Sequence, residues 1–321
     1  MGTLSEVGRI TRMALRKPEQ AFVNQEHIDV QWRELNYTDR PSYDKAVKKY
    51  NQFVSLLQEF GMKIDFLPAD EKLTLDSLYV RDAAIVSHEG VILCNMGKPQ
   101  RAHEPEVARD AFINAGVPVL GTIDGKGQLE GGDIVWLDNE TLAVGRTYRT
   151  NDEGIRQLQS LVGEKVEVVT VPLPHYRGPT DVFHLMSILS PVDYDLALVY
   201  SPLMPIPFRE FLVDRGIHLL EVPENEFETM GCNVLAVAPR ECIMLKGNPQ
   251  TKALLEQAGA RVWEINGKEI SVKGQGGPTC LTRPLVREQS QQIARSKENH
   301  VTTREDVKRK SSQRSTTQRR I

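Results

Sequence analysis

Four segments that lie far apart in this sequence carry residues capable of thiol and acid–base chemistry. They contribute one thiol, one imidazole and two carboxylates, at Cys280, His184, Glu130 and Asp82. A thiolate is a strong nucleophile, an imidazole moves protons near neutral pH, and carboxylates can hold a cation. No pair among the four has the short spacing typical of metal ligands. The set therefore favours nucleophilic catalysis by a thiol, assisted by a general acid and base, on a cationic substrate.

Each of these residues also has a purely structural interpretation. Most cysteines are small buried hydrophobic residues, and the other three in this chain, beside apolar runs, are interpreted in that way. His184 alternates with apolar neighbours, as a hydrogen-bonded histidine in a sheet does. Asp82 follows Arg81 and could pair with it at the surface, while Glu130 precedes two glycines and could belong to a turn. The combination of the four is more informative than any one member.

The four residues lie near the starts of a repeat of about fifty residues. Each copy contains a hairpin, a helix and a short closing strand, and the copies begin at Asp82, Asp133, Asp181 and near Met230. In the third copy the first strand is predicted over 182–189, which places His184 inside a strand. The same period predicts a fifth start near residue 280.

The N-terminal segment is expected to complete the fifth copy. Apolar residues at helical spacing predict a helix over 43–60, with Ser42 as N-cap and Gly61 as the stop, and alternation predicts a strand at 62–66. The segment 25–39 is expected to be a loop. The two ends of the chain would then close a five-bladed α/β propeller around one axis. The alternative is accidental spacing in an ordinary mixed α/β domain.

Composition and charge indicate how the chain is divided into a folded domain and a tail. The chain has 321 residues, of which 40% are hydrophobic and 26% charged, as in ordinary globular proteins. Residues 287–321 carry ten Lys and Arg against four Asp and Glu, a net charge of +6, so the remainder is about −9. We therefore expect one catalytic domain over 1–286 and a disordered basic tail over 287–321. An alternative role for the tail is recruitment of an acidic partner such as nucleic acid.

The same data exclude several classes of protein. An acidic body argues against nucleic acid as a partner of the folded part. No apolar run reaches the roughly 20 residues that a membrane span needs. Four cysteines without a Cys-x-x-Cys pair, and an N-terminus without an apolar signal core, predict a cytoplasmic chain with reduced thiols.

Six segments, 75–82, 99–104, 129–133, 149–151, 184–187 and 276–280, carry a resemblance to a known family. In this combination and order, over roughly residues 10–285, the chain resembles the dimethylarginine dimethylaminohydrolases. These belong to the superfamily of guanidino-modifying enzymes, which also contains the arginine deiminases and amidinotransferases. The resemblance implies a five-bladed α/β propeller, in agreement with the repeat.

The resemblance also implies an activity and roles for residues. It implies a hydrolase that acts on the guanidinium carbon of an arginine derivative, with Cys280 as nucleophile and a covalent intermediate. Glu130 and Asp82 would bind the guanidinium, and His184 would protonate the departing amine and then activate water. The most favoured reaction converts Nω-methylated arginine to citrulline and methylamine or dimethylamine.

Further residues would bind the other end of the substrate. The resemblance implies that Arg101 and Arg149 clamp a carboxylate and that Asp76 reads an α-amino group. The implied partner is a small guanidino substrate, without a metal or organic cofactor. Whether the ring forms a homodimer is left open by the sequence.

At two positions the sequence differs from the residue pattern of a branch of the superfamily, and the branch is a different one at each position. Dimethylarginine hydrolases often have an acidic residue before the aspartate, but this chain has Arg81, as arginine deiminases do. Deiminases and amidinotransferases usually place an aspartate two residues after the histidine, but this chain has Met186, which suits an N-alkylated guanidine. An arginine deiminase-like or citrulline hydrolase activity remains an alternative, and a non-catalytic propeller that binds a cationic ligand is an alternative of another class.

Overall fold

Fifteen strands in the part of the chain that the structure describes, residues 2–288 of a computed structural model, form five small β-sheets. The tail expected over 287–321 lies outside the described residues, apart from its first two. The strands are β1 (Arg9–Leu15), β2 (Lys63–Phe66), β3 (Ala84–Val86), β4 (Val91–Leu93), β5 (Val119–Thr122), β6 (Ile134–Trp136), β7 (Thr141–Arg146), β8 (Glu167–Pro172), β9 (Leu189–Asp193), β10 (Leu196–Val199), β11 (His218–Glu221), β12 (Leu235–Ala238), β13 (Glu241–Leu245), β14 (Arg261–Ile265) and β15 (Arg283–Glu288).

Helices connect the strands within each repeat. The four predicted internal copies form the sheets β3-β4-β5, β6-β7-β8, β9-β10-β11 and β12-β13-β14. In each, two antiparallel strands come from a hairpin and the third returns parallel after a helix, as predicted. The helices are α1 (Pro18–Ala21), α2 (Gln25–Gln31), α3 (Tyr43–Glu59), α4 (Glu104–Asn114), α5 (Asp152–Val162), α6 (Ile206–Asp214), α7 (Glu224–Phe227) and α8 (Pro249–Gln257).

The fifth sheet joins the two ends of the described chain. Its order is β15-β1-β2, with β1 antiparallel to β15 and parallel to β2. The predicted helix before β2 is α3, whose buried face includes Tyr50, Phe53 and Leu57. It ends before Gly61, whose φ of 76° is a backbone conformation that glycine adopts without strain. The N-terminal segment thus completes the fifth unit, as predicted.

Neighbouring units contact one another through their first strands. β9 contacts β12, β12 contacts β1, and β15 contacts β3. The first and second units are joined by a bridge between Asn95 and Leu129. The starts of the units are therefore close together, although they are about fifty residues apart in sequence.

Three local predictions differ from the structure. The strand predicted over 182–189 is wrong, because regular pairing begins only at Leu189. A short 3₁₀ turn occupies Leu185–Ser187, and the Ser187 hydroxyl accepts the His184 backbone N–H at 3.2 Å. The segment 25–39 is not only loop, since it contains α2. Finally, β15 extends to Glu288, two residues beyond the expected domain boundary.

No helix among the described residues is both long and apolar enough to cross a bilayer.

Candidate active site

The starts of the units surround two cavities that meet at Cys280 and His184. One, here called the narrow cavity, has a volume of about 30 Å³ and a lining rich in charged groups. The other, here called the wide cavity, has a volume of about 220 Å³ and a mixed lining, in which aromatic and apolar side chains lie beside the charged side chains of Arg81, Arg177, Asp181 and Glu228. The charged side chains of the narrow cavity are Asp76, Asp82, Lys98, Arg101 and Arg149. The wide cavity includes Tyr176, Phe183, Met186, Phe227 and Asn233.

Cys280 lines both cavities and is partly exposed, whereas the other three cysteines are buried and only Cys232 among them borders the wide cavity. Its thiol receives the side-chain N–H of Asn233, with a nitrogen-to-sulfur distance of 3.6 Å, and lies 3.8 Å from the Thr279 hydroxyl. Asn233 also accepts the backbone N–H and the hydroxyl of Thr279. A side chain at Gly277 would collide with Asn233, so this glycine allows the loop to approach. The thiol is thus positioned by side chain and backbone together.

The thiol is held in its protonated form when no substrate is bound. Burial raises the pKa of Cys280, and the carboxylate of Asp82 raises it further. The Thr279 hydroxyl and the Arg81 guanidinium act in the opposite direction without reversing the shift. A cation placed against Asp82 would cancel part of this effect and favour the thiolate.

Glu130 and His184 form a buried ionic pair. His184 Nε2 lies 2.8 Å from Glu130 Oε2, and both side chains are almost completely buried. Glu130 Oε1 accepts the backbone N–H of Lys98 at 3.1 Å and the Arg149 guanidinium at 3.4 Å. Burial alone would raise the pKa of Glu130, but the charged histidine and arginine lower it below its usual range. Glu130 is therefore a permanent anion at the centre of the site.

The imidazole of His184 is protonated at neutral pH. Burial by itself would lower its pKa, but three nearby carboxylates outweigh this effect and raise it to about 9. They belong to Asp133, Asp82 and Glu130. Asp133 also accepts the backbone N–H of Leu185 at 3.0 Å, which fixes the turn that follows the histidine. A protonated histidine in this place can donate a proton to a leaving group.

The double glycine after Glu130 has a steric reason. A Cβ on Gly132 would collide with the imidazole of His184 and would lie 2.9 Å from Oδ1 of Asp82. One atom from each of Asp82, Glu130 and His184 lies within 4.8 Å of the other two, which is also a spacing that metal ligands adopt. His184 Nε2 is already paired with Glu130, however, and a protonated imidazole has no lone pair to offer a metal ion. The arrangement therefore suits an organic cation better than a metal ion.

Asp82 has one oxygen in an ion pair and one oxygen open. Its Oδ2 accepts Arg101 Nη1 at 2.6 Å, while its Oδ1 is buried and has no hydrogen-bond partner among the described residues. Arg101 is further bound by both carboxylate oxygens of Glu104, at 2.8 Å each, and by the carbonyl of Tyr79. Arg101 therefore lines the narrow cavity, but its guanidinium is largely occupied by Asp82 and Glu104.

Arg149 and Asp76 also line the narrow cavity. Arg149 has a single side-chain hydrogen bond to the described residues, the 3.4 Å contact with Glu130, which leaves other N–H groups for a ligand. Asp76 lies in the short 3₁₀ helix Leu75–Leu78 and accepts the ammonium group of Lys98 at 2.6 Å. The sequence did not indicate Lys98, because a lysine before a proline carries no signal of burial. Asn233 was missed for a similar reason, since it resembles any polar residue at the start of a strand.

The two departures from the family patterns both border the wide cavity. The side chain of Arg81 is bound by the protein itself: its Nε donates to the carbonyls of Thr279 and Thr282, and its Nη1 lies 3.2 Å from Glu6. Met186 is buried and lines the wide cavity beside His184. An aspartate at this position would have placed a charge there.

Comparisons with known proteins agree with this architecture. A family model described as N,N dimethylarginine dimethylhydrolase, eukaryotic, matches residues 17–287. Among curated proteins, the chain is 28% identical to the uncharacterized protein YkgA of Bacillus subtilis, over 88% of this chain and 94% of that protein. It is 27% identical to the N(G),N(G)-dimethylarginine dimethylaminohydrolase of Pseudomonas aeruginosa, over 77% and 91%. It is also 27% identical to an arginine deiminase of Listeria welshimeri, over 76% and 68%.

Solved structures show the same fold. The dimethylarginine dimethylaminohydrolase from Pseudomonas aeruginosa in complex with citrulline matches with a TM-score of 0.70 and 23% identity, covering 87% of this chain and 99% of that one. The N-terminal domain of a cyanobacterial arginine dihydrolase, ArgZ, bound to its substrate, matches with a TM-score of 0.72 and 21% identity, covering 86% and 98%.

Proposed function

Because the chain belongs to the N,N-dimethylarginine dimethylhydrolase family, and so is a C–N hydrolase of guanidino or amidine groups, we propose that it hydrolyses an Nω-methylated arginine. The products would be citrulline and methylamine or dimethylamine. The observation that carries the proposal is the open, buried Oδ1 of Asp82 in the cavity that reaches Cys280 and His184. A carboxylate oxygen of Asp82 also lies within 4.8 Å of a carboxylate oxygen of the fully buried Glu130. Two carboxylates beside a thiol are suited to a guanidinium and to few other groups.

In the first step Cys280 attacks the guanidinium carbon. The substrate cation against Asp82 and Glu130 favours release of the Cys280 thiol proton to water, and the electron pair of the resulting thiolate forms the sulfur–carbon bond. The carbon–nitrogen bond to the substituted amine then breaks, and the imidazolium of His184 gives its proton to the departing nitrogen. The enzyme is left with an amidino group on the sulfur, and His184 is left neutral.

In the second step water completes the reaction. Neutral His184 accepts a proton from a water molecule, whose oxygen attacks the carbon bound to sulfur. The carbon–sulfur bond breaks, the thiolate of Cys280 leaves and takes up the second proton of the water molecule, and the ureido product forms with the thiol restored. His184 is protonated again, so the ion pair with Glu130 is restored for the next cycle.

The wide cavity supports a substituted guanidine. Met186 lies in its lining directly after the turn that carries His184, and Phe183 and Tyr176 extend the apolar surface. Methyl groups on the leaving nitrogen would contact this surface, whereas the unsubstituted nitrogen of arginine would gain no hydrogen bond from Met186. The cavity therefore favours methylated over free guanidinium groups.

A second candidate is hydrolysis of arginine itself. It is favoured by the similarity to the Listeria arginine deiminase and to the fold of the cyanobacterial arginine dihydrolase. The chain that we describe offers the same nucleophile and histidine to either substrate. The two candidates differ in the leaving group, ammonia or a methylated amine, and so in the product that identifies them.

Two further properties belong to the proposal. Contacts of each unit with the next, from the first to the fifth and back to the first, support a closed five-bladed α/β propeller. Four unpaired cysteines support a cytoplasmic location, where thiols remain reduced.

The test is a panel of guanidines assayed for ureido product and for released amine. Arginine, monomethylarginine, asymmetric dimethylarginine and agmatine are compared with the full-length protein, with Cys280→Ala as blank and citrulline read by ammonia release. We expect methylated arginines to be turned over faster than arginine. Cys280→Ser and His184→Ala should each lower kcat by several orders of magnitude, because nucleophile and acid act as one unit.

A covalent intermediate is the decisive observation. Acid quenching followed by mass spectrometry should reveal an amidino adduct on the peptide that contains Cys280. Retained turnover in Cys280→Ser would contradict the covalent mechanism, and turnover restricted to arginine would move the protein to the deiminase branch. Circular dichroism of each variant separates loss of chemistry from loss of fold.

A further inference from the structure

Lys98 forms an ion pair with Asp76, the carboxylate to which the family resemblance assigns binding of the substrate's α-amino group. Its ammonium group lies 2.6 Å from Oδ2 of Asp76 and 2.9 Å from the carbonyl oxygen of Leu35. Lysine and aspartate are both buried, and both line the narrow cavity together with Cys280 and His184. A cation supplied by the protein thus sits where an amino acid substrate would bring its α-ammonium group.

This lysine is fixed at both ends. Its backbone N–H donates to Oε1 of Glu130 at 3.1 Å, so the main chain of Lys98 belongs to the catalytic centre. From there the side chain crosses the narrow cavity to Asp76, and its two hydrogen bonds hold the ammonium group out of water. Moving it aside would leave a buried carboxylate without its partner, which is strongly unfavourable.

An α-ammonium group in the substrate would meet an unfavourable environment. It would have to share Asp76 with Lys98, so two like charges would face one carboxylate in a buried site. Alternatively it would displace Lys98 and leave that ammonium group without a carboxylate. A substrate without an α-ammonium group meets neither problem, because Asp76 and Lys98 already neutralise each other.

The N–H groups that remain free on two cations of the narrow cavity favour a carboxylate on the substrate. Arg149 has N–H groups that are not used by the described residues, and an ammonium group has three N–H donors, of which Lys98 uses two. Arg101 contributes less, since Glu104 and Asp82 engage it. Lys98 and Arg149 together form a site for a carboxylate and not for an amino acid head group.

We propose that Lys98 makes this enzyme specific for ω-guanidino acids that lack an α-amino group. The inference rests on the proposed hydrolysis at Cys280, but it replaces the methylated arginine by its deaminated counterpart, with a methylated guanidinium at one end and a carboxylate at the other, so that the ureido product is 5-ureidopentanoate and not citrulline. The deaminated counterpart of arginine is 5-guanidinopentanoate. In this enzyme Lys98 replaces the ammonium group that the substrate does not carry.

The test compares substrates that differ in a single charged group. The full-length protein is assayed with Nω,Nω-dimethylarginine and with 5-(N′,N′-dimethylguanidino)pentanoate, which differ only in the α-amino group. Arginine, 5-guanidinopentanoate and agmatine form a second set, in which agmatine keeps the amine and lacks the carboxylate. We expect kcat/KM to be at least about tenfold higher for each deaminated acid than for its α-amino partner, and lowest for agmatine, because a charge-assisted contact is worth roughly ten- to a hundredfold.

Variants identify the residue responsible. Lys98→Met should lower kcat/KM for the deaminated acid and raise it for dimethylarginine, because Asp76 becomes available to an α-ammonium group. Lys98→Met combined with Asp76→Asn removes both charges, and it should lose the preference without favouring either substrate. The matched control is Lys273→Met, which removes another buried, ion-paired lysine that lines neither cavity and should leave the preference unchanged.

The outcomes separate this inference from the proposed function. A wild-type enzyme that prefers dimethylarginine, or a Lys98→Met variant with an unaltered preference, overturns the role of Lys98 while the hydrolase stands. Absence of turnover with every guanidine, in a folded protein with a reactive Cys280, overturns both. If Lys98→Met fails to fold, the wild-type preference and the double variant still decide the question.

Discussion

The two cavities that meet at Cys280 differ in the interactions that they offer to a substrate. In the narrow cavity the charged groups are buried and paired, at 2.6 Å between Lys98 and Asp76 and between Arg101 and Asp82. The wide cavity is about seven times larger, and its ion pair between Arg177 and Glu228 is more than half exposed to solvent. The narrow side therefore discriminates by charge and the wide side by shape and apolar contact.

The difference predicts where substitutions have large effects. Removing a charge from the narrow cavity leaves its partner buried and unpaired, which costs several kcal/mol. A change in the wide cavity alters contacts with a small substituent and has a smaller effect. Substrate preference can therefore change on the wide side without loss of catalysis, whereas changes beside Glu130 affect the reaction itself.

The largest effect is expected for Glu130→Gln. The amide keeps the shape of the side chain but removes the negative charge that holds His184 protonated, so the pKa of the imidazole should fall below its value of about 9. Because His184 must be protonated to release the amine, activity is lost as pH rises through this pKa. We expect the alkaline limb of kcat to move to lower pH, and kcat at the optimum to fall about 10²–10⁴-fold. A pH–rate profile measures both.

The matched control for this variant is Glu226→Gln. Glu226 is as deeply buried and accepts the backbone N–H groups of Gln250 and Thr251, but it lines neither cavity. It should lower stability and leave the pH profile in place. An alkaline limb that stays where it was in Glu130→Gln would remove Glu130 from the control of His184.

An intermediate effect is expected for Met186→Asp on the wide side. An aspartate there places a second carboxylate near the guanidinium and removes the apolar contact with the methyl groups. We expect the ratio of kcat/KM for methylated over unmethylated substrate to fall by about tenfold or more, because a good contact of this kind is worth roughly 1–3 kcal/mol. Competition between the two substrates in one reaction gives the ratio directly.

Met186→Leu serves as the control for that variant, since it keeps an apolar side chain of similar volume. Its substrate ratio should stay close to that of the wild type. An unchanged ratio in Met186→Asp, with the leucine variant also unchanged, would mean that the substituent does not contact Met186.

The smallest effect is expected for Arg177→Ala at the edge of the wide cavity. The ion pair with Glu228 is exposed, and such pairs contribute about 0–1 kcal/mol. We expect kcat/KM to change by less than about threefold, and the thermal midpoint of unfolding to change little. A hundredfold loss would show that the wide side also binds by charge, and would abolish the distinction between the cavities.

Most of the fold could be predicted from the sequence because the patterns that indicate its strands, helices and turns are local. Hairpin turns, glycine stops and helical spacing recur about every fifty residues, and they predict all five units, including the one that the N-terminal segment completes. The same period brings Cys280, His184, Glu130 and Asp82 together. Their catalytic roles stay predictions, since what the structure adds is their geometry.

The remaining features depend on partners that no local pattern specifies. The alternation around His184 predicted a strand, but Asp133 and Ser187 bind the backbone there and impose a turn. Arg101 was expected to bind a carboxylate of the substrate, and in the structure it binds those of Glu104 and Asp82. The pairing of Lys98 with Asp76 joins residues on separate loops, so it is visible only in three dimensions.

The pairing of β15 with β1 has a consequence for biosynthesis. β1 is among the first segments to be made, and its antiparallel partner begins at Arg283, three residues after Cys280. Four units can fold as they are synthesised, but the fifth must wait until nearly all of the described chain has been made. The nucleophile is among the last residues to reach its place, so a nascent or truncated chain has no complete active site. Catalytic activity is then also a measure of synthesis through β15.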